Sequence, residues 1–383
     1  MAVKAKNEGA KIYHLNIGQP DLETPPAYYE AIRQFDNSTL AYAESPGMPL
    51  LIEAIRNYYK NLGVDLEPED ILITTGGSEA LLFTYLSILD PYTEVIIPEP
   101  YYPNYTTFVH AAGGVIRALH TSPEEGYRYA FKKRIEKLIT PNTRAIMITN
   151  PGNPTGVVLN EREMRMIADI AKKHDLFLIS DEVYREFCYD DQFGVPTMGR
   201  YNDIADNLVI IDSVSKRFSA CGARVGCVIT KNKELQQALL KFCQSRLSVA
   251  TIDQIGSAAL YSVDKEFYEK SKEEYRRRRD TVVSGLRNIP GVMVEEPMGA
   301  FYVMASLPVD NSDKFQRWLL TEFRDNGETV MFAPGKPFYE TPGSGINEVR
   351  IAYVLKQEDL QRAMELLAKG IEQYRKQCMH EEE

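Results

Sequence analysis

The sequence predicts an α/β protein: a doubly wound, mainly parallel sheet with a smaller α+β domain beside it. Three observations predict this. Between residues 70 and 230, short runs rich in β-branched residues alternate with helix-patterned stretches, and such alternation puts crossover helices on both faces of a parallel sheet. After residue 235 the alternation gives way to a long charged helical stretch, and Pro290-Gly291 then leads into shorter strands and helices. At 383 residues the chain is also longer than one simple core usually serves. The large domain is expected over 45–284, and the small one over 1–44 together with 285–383.

The strands of the large sheet are expected at 71–74, 94–98, 114–119, 144–149, 176–180, 207–212 and 224–230. Helices are expected over 79–89 and over 161–174, where Met164, Ile167, Ala168 and Ala171 recur with helical period on one face. A further helix over 265–287 contains Arg276-Arg277-Arg278-Arg279, expected to be a solvated face because like charges repel and the chain as a whole is acidic. The sequence shows no internal repeat and no low-complexity segment.

A formal net charge of -10 argues against a nucleic-acid partner or an anionic membrane surface. The tail Glu381-Glu382-Glu383 reads as a solvated end. Five cysteines form no CxxC pair and no secreted-scaffold spacing, which fits reduced thiols in a cytoplasm. The first residues lack an apolar core of signal-peptide length, and no run approaches the ~18 apolar residues of a membrane helix. A soluble, cytoplasmic protein is expected.

In an open parallel sheet, ligands bind beyond the carboxyl ends of the strands. Here those ends carry, in order, Gly76-Gly77-Ser78, Tyr101-Tyr102-Pro103-Asn104, the turn 150–156 with Asn153, Asp181-Glu182-Val183-Tyr184, and Ser213-Val214-Ser215-Lys216. Glycines, an aromatic ring, an amide, a carboxylate and an amine thus converge on one edge. Each has a plainer reading. Gly76-Gly77-Ser78 fits a tight turn with a serine cap as well as a phosphate cradle at a helix start. The 150–156 segment fits a proline-rich turn. Asp181, at the end of an apolar run, fits a structural ion pair as well as a ligand. Lys216 is the most informative: it follows an apolar strand and precedes Arg217 and Arg224, and cationic neighbours make a lysine easier to deprotonate and hence nucleophilic.

Other chemistries lack their signals. GxGxxG and GxxxxGK[ST] do not occur. Gly76-Gly77-Ser78-Glu79-Ala80 ends in alanine where a nucleophile elbow needs glycine. The five histidines show no HExxH spacing and no cysteine pair nearby, so no metal site is expected.

Ser213-x-Ser-Lys216 with Arg224 and Gly226 resembles the cofactor-lysine signature of fold-type I pyridoxal-phosphate (PLP) enzymes, specifically class I/II aminotransferases. Asn153-Pro154-Thr155-Gly156 and Asp181-Glu182-Val183-Tyr184 come upstream in the family's order. The likeness runs from Asn16-Ile17-Gly18-Gln19-Pro20-Asp21 to Asn347-Glu348-Val349-Arg350-Ile351-Ala352, and is strongest toward the prokaryotic branch usually labelled aspartate aminotransferase. The resemblance implies that the large domain binds PLP, with Lys216 as its Schiff-base lysine and as the proton shuttle to the substrate α-carbon. Asp181 would pair with the ring nitrogen, Tyr184 and Asn153 would hydrogen-bond the ring's phenolic oxygen, and Tyr102 would stack on the ring. Gly77, Ser78, Ser213 and Arg224 would hold the phosphate. Arg350 would grip the substrate α-carboxylate, with Gly18 close by. Tyr42 matches a tyrosine that reaches the phosphate of a neighbouring subunit, implying a homodimer with shared active sites. Relatives often carry a helix before the Asn16 motif, so the amino-terminal segment is expected to be short.

The resemblance implies an aminotransferase acting on an amino acid and a 2-oxo acid, of aspartate/2-oxoglutarate type. The sequence departs from the pattern where substrates are chosen: Ser78 stands where some relatives have a lysine that reads acidic side chains. Arg246 is the candidate for a second carboxylate, against its reading as a surface arginine at a helix end. A PLP-dependent β-lyase or synthase, or an aminotransferase for neutral or aromatic amino acids, remains open on the same scaffold. A PLP-binding regulator would need a basic helix-turn-helix segment for which length and charge leave no room.

Overall fold

A computed structural model describes residues 1–190 and 194–378; the acidic tail lies outside them. In chain order the strands are β1 (Lys11–His14), β2 (Ile71–Thr74), β3 (Glu94–Glu99), β4 (Val115–His120), β5 (Thr143–Thr149), β6 (Phe177–Asp181), β7 (Leu208–Ser213), β8 (Gly226–Ile229), β9 (Met293–Val294), β10 (Tyr302–Ser306), β11 (Glu328–Met331), β12 (Ala333–Pro334) and β13 (Glu348–Ala352). The seven expected strands join in one sheet, in the order β2-β8-β7-β6-β5-β3-β4. β8 runs antiparallel to both neighbours and every other pairing is parallel. The strand expected from residue 224 starts only at Gly226, because Arg224 takes a left-handed φ of 52° that strand geometry excludes.

Side chains alternate across the sheet. Ile146, Ile148, Leu178 and Ile210 enter one core, while Ala145, Met147, Ile179, Val209 and Ile211 enter the core on the opposite face. Both faces are covered, which is why these strands read as nearly continuous apolar runs. Helix Glu161–Lys173 starts at a capping box made by Asn160 and Glu163 and buries Met164, Ile167, Ala168 and Ala171 on the first core.

A separate core forms around the antiparallel sheet β12-β13-β10-β9, helix Ser312–Thr321 and helix Gln357–Cys378. β1 pairs in parallel with β11, so the amino-terminal segment packs with the last third of the chain. A short helix, Ala2–Asn7, does precede β1, and Ala5 packs there with Ile12 and Leu320. Among the described residues no helix is long and apolar enough to cross a membrane.

Helix Lys265–Arg287 has the expected bounds, but its arginine run is not a solvated face. Arg278 and Arg279 are buried. Arg278 bonds Asp21 and the Val354 carbonyl, Arg279 the Pro297 carbonyl, and Arg276 the Tyr189 carbonyl at 2.7 Å. Successive residues of a helix stand about 100° apart, so four in a row must wrap around it. Arg277 is left in solvent.

Candidate active site

Because β2, β3, β5, β6 and β7 point the same way, their carboxyl ends share one edge. A cavity of about 460 Å³ opens there. It is lined by Gly77, Ser78, Tyr102, Asn153, Asp181, Tyr184, Ser213, Lys216 and Arg224 from the large sheet, with Gly18 and Arg350 entering from the smaller sheets' side. Of the residues to which the resemblance gives a role, Tyr42 lies outside it, as does the candidate Arg246.

Lys216 sits on the short helix Val214–Arg217 that follows β7 directly. Ser213 caps that helix: its Oγ accepts from the Ser215 N–H at 3.0 Å and donates to Ser215 Oγ at 2.8 Å. The Lys216 Nζ donates to the Gly18 carbonyl at 2.8 Å and lies 3.8 Å from Cys221 Sγ. Arg217 does not share this cavity. It turns the other way, where its Nη2 lies 2.9 Å from both Asp212 oxygens. The expected pair of cationic neighbours therefore reduces to Arg224, since Asp212 neutralises Arg217.

Asp181 ends β6 and is 5% exposed. It accepts from Tyr105 Oη at 2.6 Å and from the Val183 N–H at 3.3 Å. Burial pushes its carboxyl up to about 6, against the lowering effect of those two donors. Among the described residues no cation lies within ion-pair distance of it. Arg350, on β13 and 8% exposed, is the mirror case. Its Nη1 donates to Asn153 Oδ1 at 3.1 Å and its Nη2 to the Asn16 carbonyl at 2.9 Å, while Nε has no partner. Its guanidinium lies between the rings of Tyr302 and Phe338, 4.5 and 5.1 Å from their centroids, with no carboxylate in reach among the described residues.

Helix Gly76–Ile88 points its amino-terminal N–H groups at the same space. Gly76 has φ +73°, and a Cβ there would sit 2.6 Å from Arg224 Nη2, so only glycine lets the helix end and this guanidinium approach. Glu79 takes the Thr75 N–H at 2.7 Å, while Gly77, Ser78 and the Arg224 guanidinium border the cavity, and a helix start beside a guanidinium suits a phosphate. Tyr184 Oη accepts from Asn153 Nδ2 at 3.3 Å and lies 2.9 Å from Tyr302 Oη. Tyr102 stands edge-on to Tyr105 at 5.5 Å.

Arg246 ends helix Lys233–Arg246, as the sequence implied, but is not a surface residue. Its Nη2 donates to the Ile73 carbonyl at 2.9 Å and its Nε lies 3.3 Å from Glu79. Tyr42 is 81% exposed. Sequence reading missed Tyr302 and Tyr105 and gave no role to Ser215 or Cys221, all lining the cavity. Ser215 and Tyr105 stand within three residues of singled-out positions and were findable by proximity. Tyr302 lies on β10, where no local pattern marks it.

A buried carboxylate without a cation, a buried arginine without an anion, an amine in the same cavity and a helix start beside Arg224 fit PLP and an amino-acid carboxylate. No group of His, Cys, Asp or Glu among the described residues is arranged to hold a metal. Comparison with known proteins agrees. The family model described as Aminotransferase class I and II matches residues 10–367. An aspartate aminotransferase of Pyrococcus horikoshii is 34% identical over 367 residues, covering 94% of this chain and 91% of its own. The aspartate/prephenate aminotransferase of Thermus thermophilus is 31% identical, covering 96% and 93%. The solved structure of Thermus thermophilus aspartate aminotransferase with maleate superposes with a TM-score of 0.88 at 30% identity, covering 96% of this chain and 94% of that one. With the match spanning nearly the whole chain and the cavity suited to PLP, the chain belongs to the aminotransferase class I and II family and is a PLP-dependent aminotransferase.

Proposed function

We propose that this enzyme moves the amino group of an L-amino acid to a 2-oxo acid of the aspartate/2-oxoglutarate type, with a side-chain subsite that also admits uncharged donors. The single observation behind the reading is the set of charges in the cavity left without counter-ions: Asp181, Arg350 and Arg224, around Lys216. Bound PLP supplies an electron sink for the charge that develops as the substrate α-carbon loses its proton. The chain's own residues do the rest. Lys216 holds the cofactor and carries the proton at the α-carbon; Asp181 holds the ring nitrogen protonated. Tyr184 and Asn153 bond the phenolic oxygen, and Tyr102 covers the ring face. Arg224, Ser213 and the N–H groups of Gly77 and Ser78 hold the phosphate, and Arg350 takes the α-carboxylate as a fork beside Gly18.

The breadth of the side-chain subsite rests on what lines it. Among the described residues the cavity's cations are Lys216, Arg224 and Arg350, each already engaged by this reading, and Arg246 is tied to Glu79. A second substrate carboxylate would thus be desolvated without a partner from this chain. Neutral donors, aromatic ones included, are expected to react within about two decades of aspartate. The test mixes the yellow enzyme with each amino acid singly and follows which ones convert the bound cofactor to its amine form. Strict aspartate/glutamate selectivity would overturn the broad subsite, and release of ammonia and a 2-oxo acid without an acceptor would favour a lyase.

The active unit in this reading is a cytoplasmic homodimer in which Tyr42 reaches the partner's phosphate site, with a large domain over 45–284 and a small one over 1–44 and 285–383. The exposure of Tyr42 and Leu40 on a single chain supports the dimer. Sedimentation of a fully active particle at 43.5 kDa, the mass of one chain, would overturn it.

A further inference from the structure

Tyr302 touches three parts of the site at once. Its ring faces the Arg350 guanidinium at 4.5 Å. Its hydroxyl lies 2.9 Å from Tyr184 Oη and 3.4 Å from the Gly18 carbonyl, which also receives Lys216 Nζ at 2.8 Å. The fit is close: a Cβ on Gly18 would fall 1.9 Å from Tyr302 Oη. Tyr302 is buried on β10, paired in register with Ala352 of β13, two residues beyond Arg350. It therefore moves with the carboxylate arginine, yet its hydroxyl meets the tyrosine of the opposite sheet.

We propose that Tyr302 is a positioning residue that joins two subsites: its ring seats Arg350 for the substrate carboxylate, and its hydroxyl donates to Tyr184 and so strengthens Tyr184 as a donor to the cofactor's phenolic oxygen. This rests on the roles given above to Tyr184 and Arg350. The argument divides the side chain into separable halves. The ring holds a desolvated cation by its π face and keeps the guanidinium flat against it. Either hydroxyl can donate across the 2.9 Å contact, and the Gly18 carbonyl competes for the Tyr302 proton at 3.4 Å; with Tyr184's own proton given to the cofactor oxygen, Tyr302 is the one left to donate between them. A tyrosine whose oxygen accepts a hydrogen bond gives up its own proton density more readily, which favours negative charge on whatever oxygen it serves. The titratable and charged groups facing the two hydroxyls are Asp181 from β6, Lys216 from the helix after β7, Cys221 and Arg224 from the turn before β8, Arg350 from β13 and Tyr102 from the loop after β3. All of them stay in place when one hydroxyl is removed, and Tyr184→Phe calibrates the size of the effect on the cofactor.

The experiment is a pH titration of the visible absorbance of the substrate-free holoenzyme, together with KM for the amino donor. Tyr302→Phe should raise the midpoint of the absorbance change by up to about one unit, the size of one neutral hydrogen bond, and should leave KM within about threefold because the ring remains. Tyr302→Leu should show the same rise and in addition raise KM roughly three- to thirty-fold, as the cation loses its ring. Tyr184→Phe is the control and should raise the midpoint more than either. A normal or lowered midpoint in Tyr302→Phe, with Tyr184→Phe raised, overturns the Tyr302 proposal and leaves the site reading intact. A normal midpoint in both overturns the Tyr184 role as well. An unchanged KM in Tyr302→Leu overturns the seating of Arg350.

Discussion

Asp181 ends β6 and Asp212 stands one residue before the end of its parallel neighbour β7; both are buried, yet they are opposite in kind. Asp212 is finished. Burial pushes its carboxyl up, but Arg217 and Arg185 outweigh that and hold it below the usual carboxylate range. It also accepts from Tyr59 Oη at 3.0 Å and from its neighbour's N–H at 2.7 Å. Asp181 has only Tyr105 and a backbone N–H, and burial prevails. The same contrast separates the buried Arg185 and Arg217 from the buried Arg350. Behind the strand ends Glu182, Arg185, Asp212 and Arg217 pair with one another; in front of them Asp181 and Arg350 have no counter-ion among the described residues. Unanswered charge, not charge as such, marks the functional side.

The comparison can be broken at four points, taken from the largest expected effect downward. Lys216→Ala should keep a folded protein but lose turnover by at least about four decades, the upper range for a positioned acid–base group. Steady-state rates measure the loss, and borohydride reduction of the wild type followed by peptide mapping locates the attachment; a labelled peptide with another lysine would sink the assignment.

Next, Arg217→Met should destabilise the fold by ~3–5 kcal/mol, because it leaves Asp212 buried and under-compensated. Urea unfolding reads this out. If stability stays within about 1 kcal/mol of wild type, the network behind the site is not the structural element described here.

Asp181→Asn should do the reverse: turnover falls, while the cofactor-free fold gains stability near neutral pH. The sign follows from linkage. A carboxyl raised to about 6 binds more protons folded than unfolded between its ordinary ~4 and that value, so stability falls as pH rises through this window. Above it, the cost approaches roughly 3 kcal/mol, two units' worth. Urea midpoints at pH 7 and below pH 4 should therefore differ between wild type and Asp181→Asn only at the higher pH. Asp212 has the opposite sign, contributing stability above its ordinary range that is lost as pH falls through its lowered folded value. A variant equally stable to wild type at both pH values would mean that Asp181 is not held unpaired.

The smallest effect belongs to Arg246→Ala. It should change the aspartate rate by less than about threefold and cost ~1 kcal/mol, the value of one modest hydrogen-bonded pair. Collapse of an acidic-substrate preference in this variant would show that Arg246 reaches the substrate.

The seven strands of the large sheet were legible because burial on both faces writes β-branched runs into the chain, and their chemistry was legible because each strand end carries its own local cluster. The arginine run was misjudged because composition says nothing about which way each residue of a helix turns. Arg217 was misjudged for a related reason: it adjoins Lys216 in sequence, but a helix sends adjacent side chains apart, and Asp212 captures it from behind. Tyr302 was invisible, since it enters the site from a strand whose own pattern only reports a buried core.

The sequence by itself determined the seven strands of the large sheet and their order along the chain, the helices Glu161–Lys173 and Lys265–Arg287, and the family's motifs around the lysine and the glycine-led helix start, because each depends on periodicity or on spacing within a short stretch. Only the tertiary structure decided which charges are answered and which are left open. Arg350 meets Asn153 from 197 positions away along the chain, and Tyr302 meets Tyr184 from 118. Contacts of that range are set by how two cores pack against one another, and the strength of a buried charge depends on the groups that packing brings within a few ångströms of it.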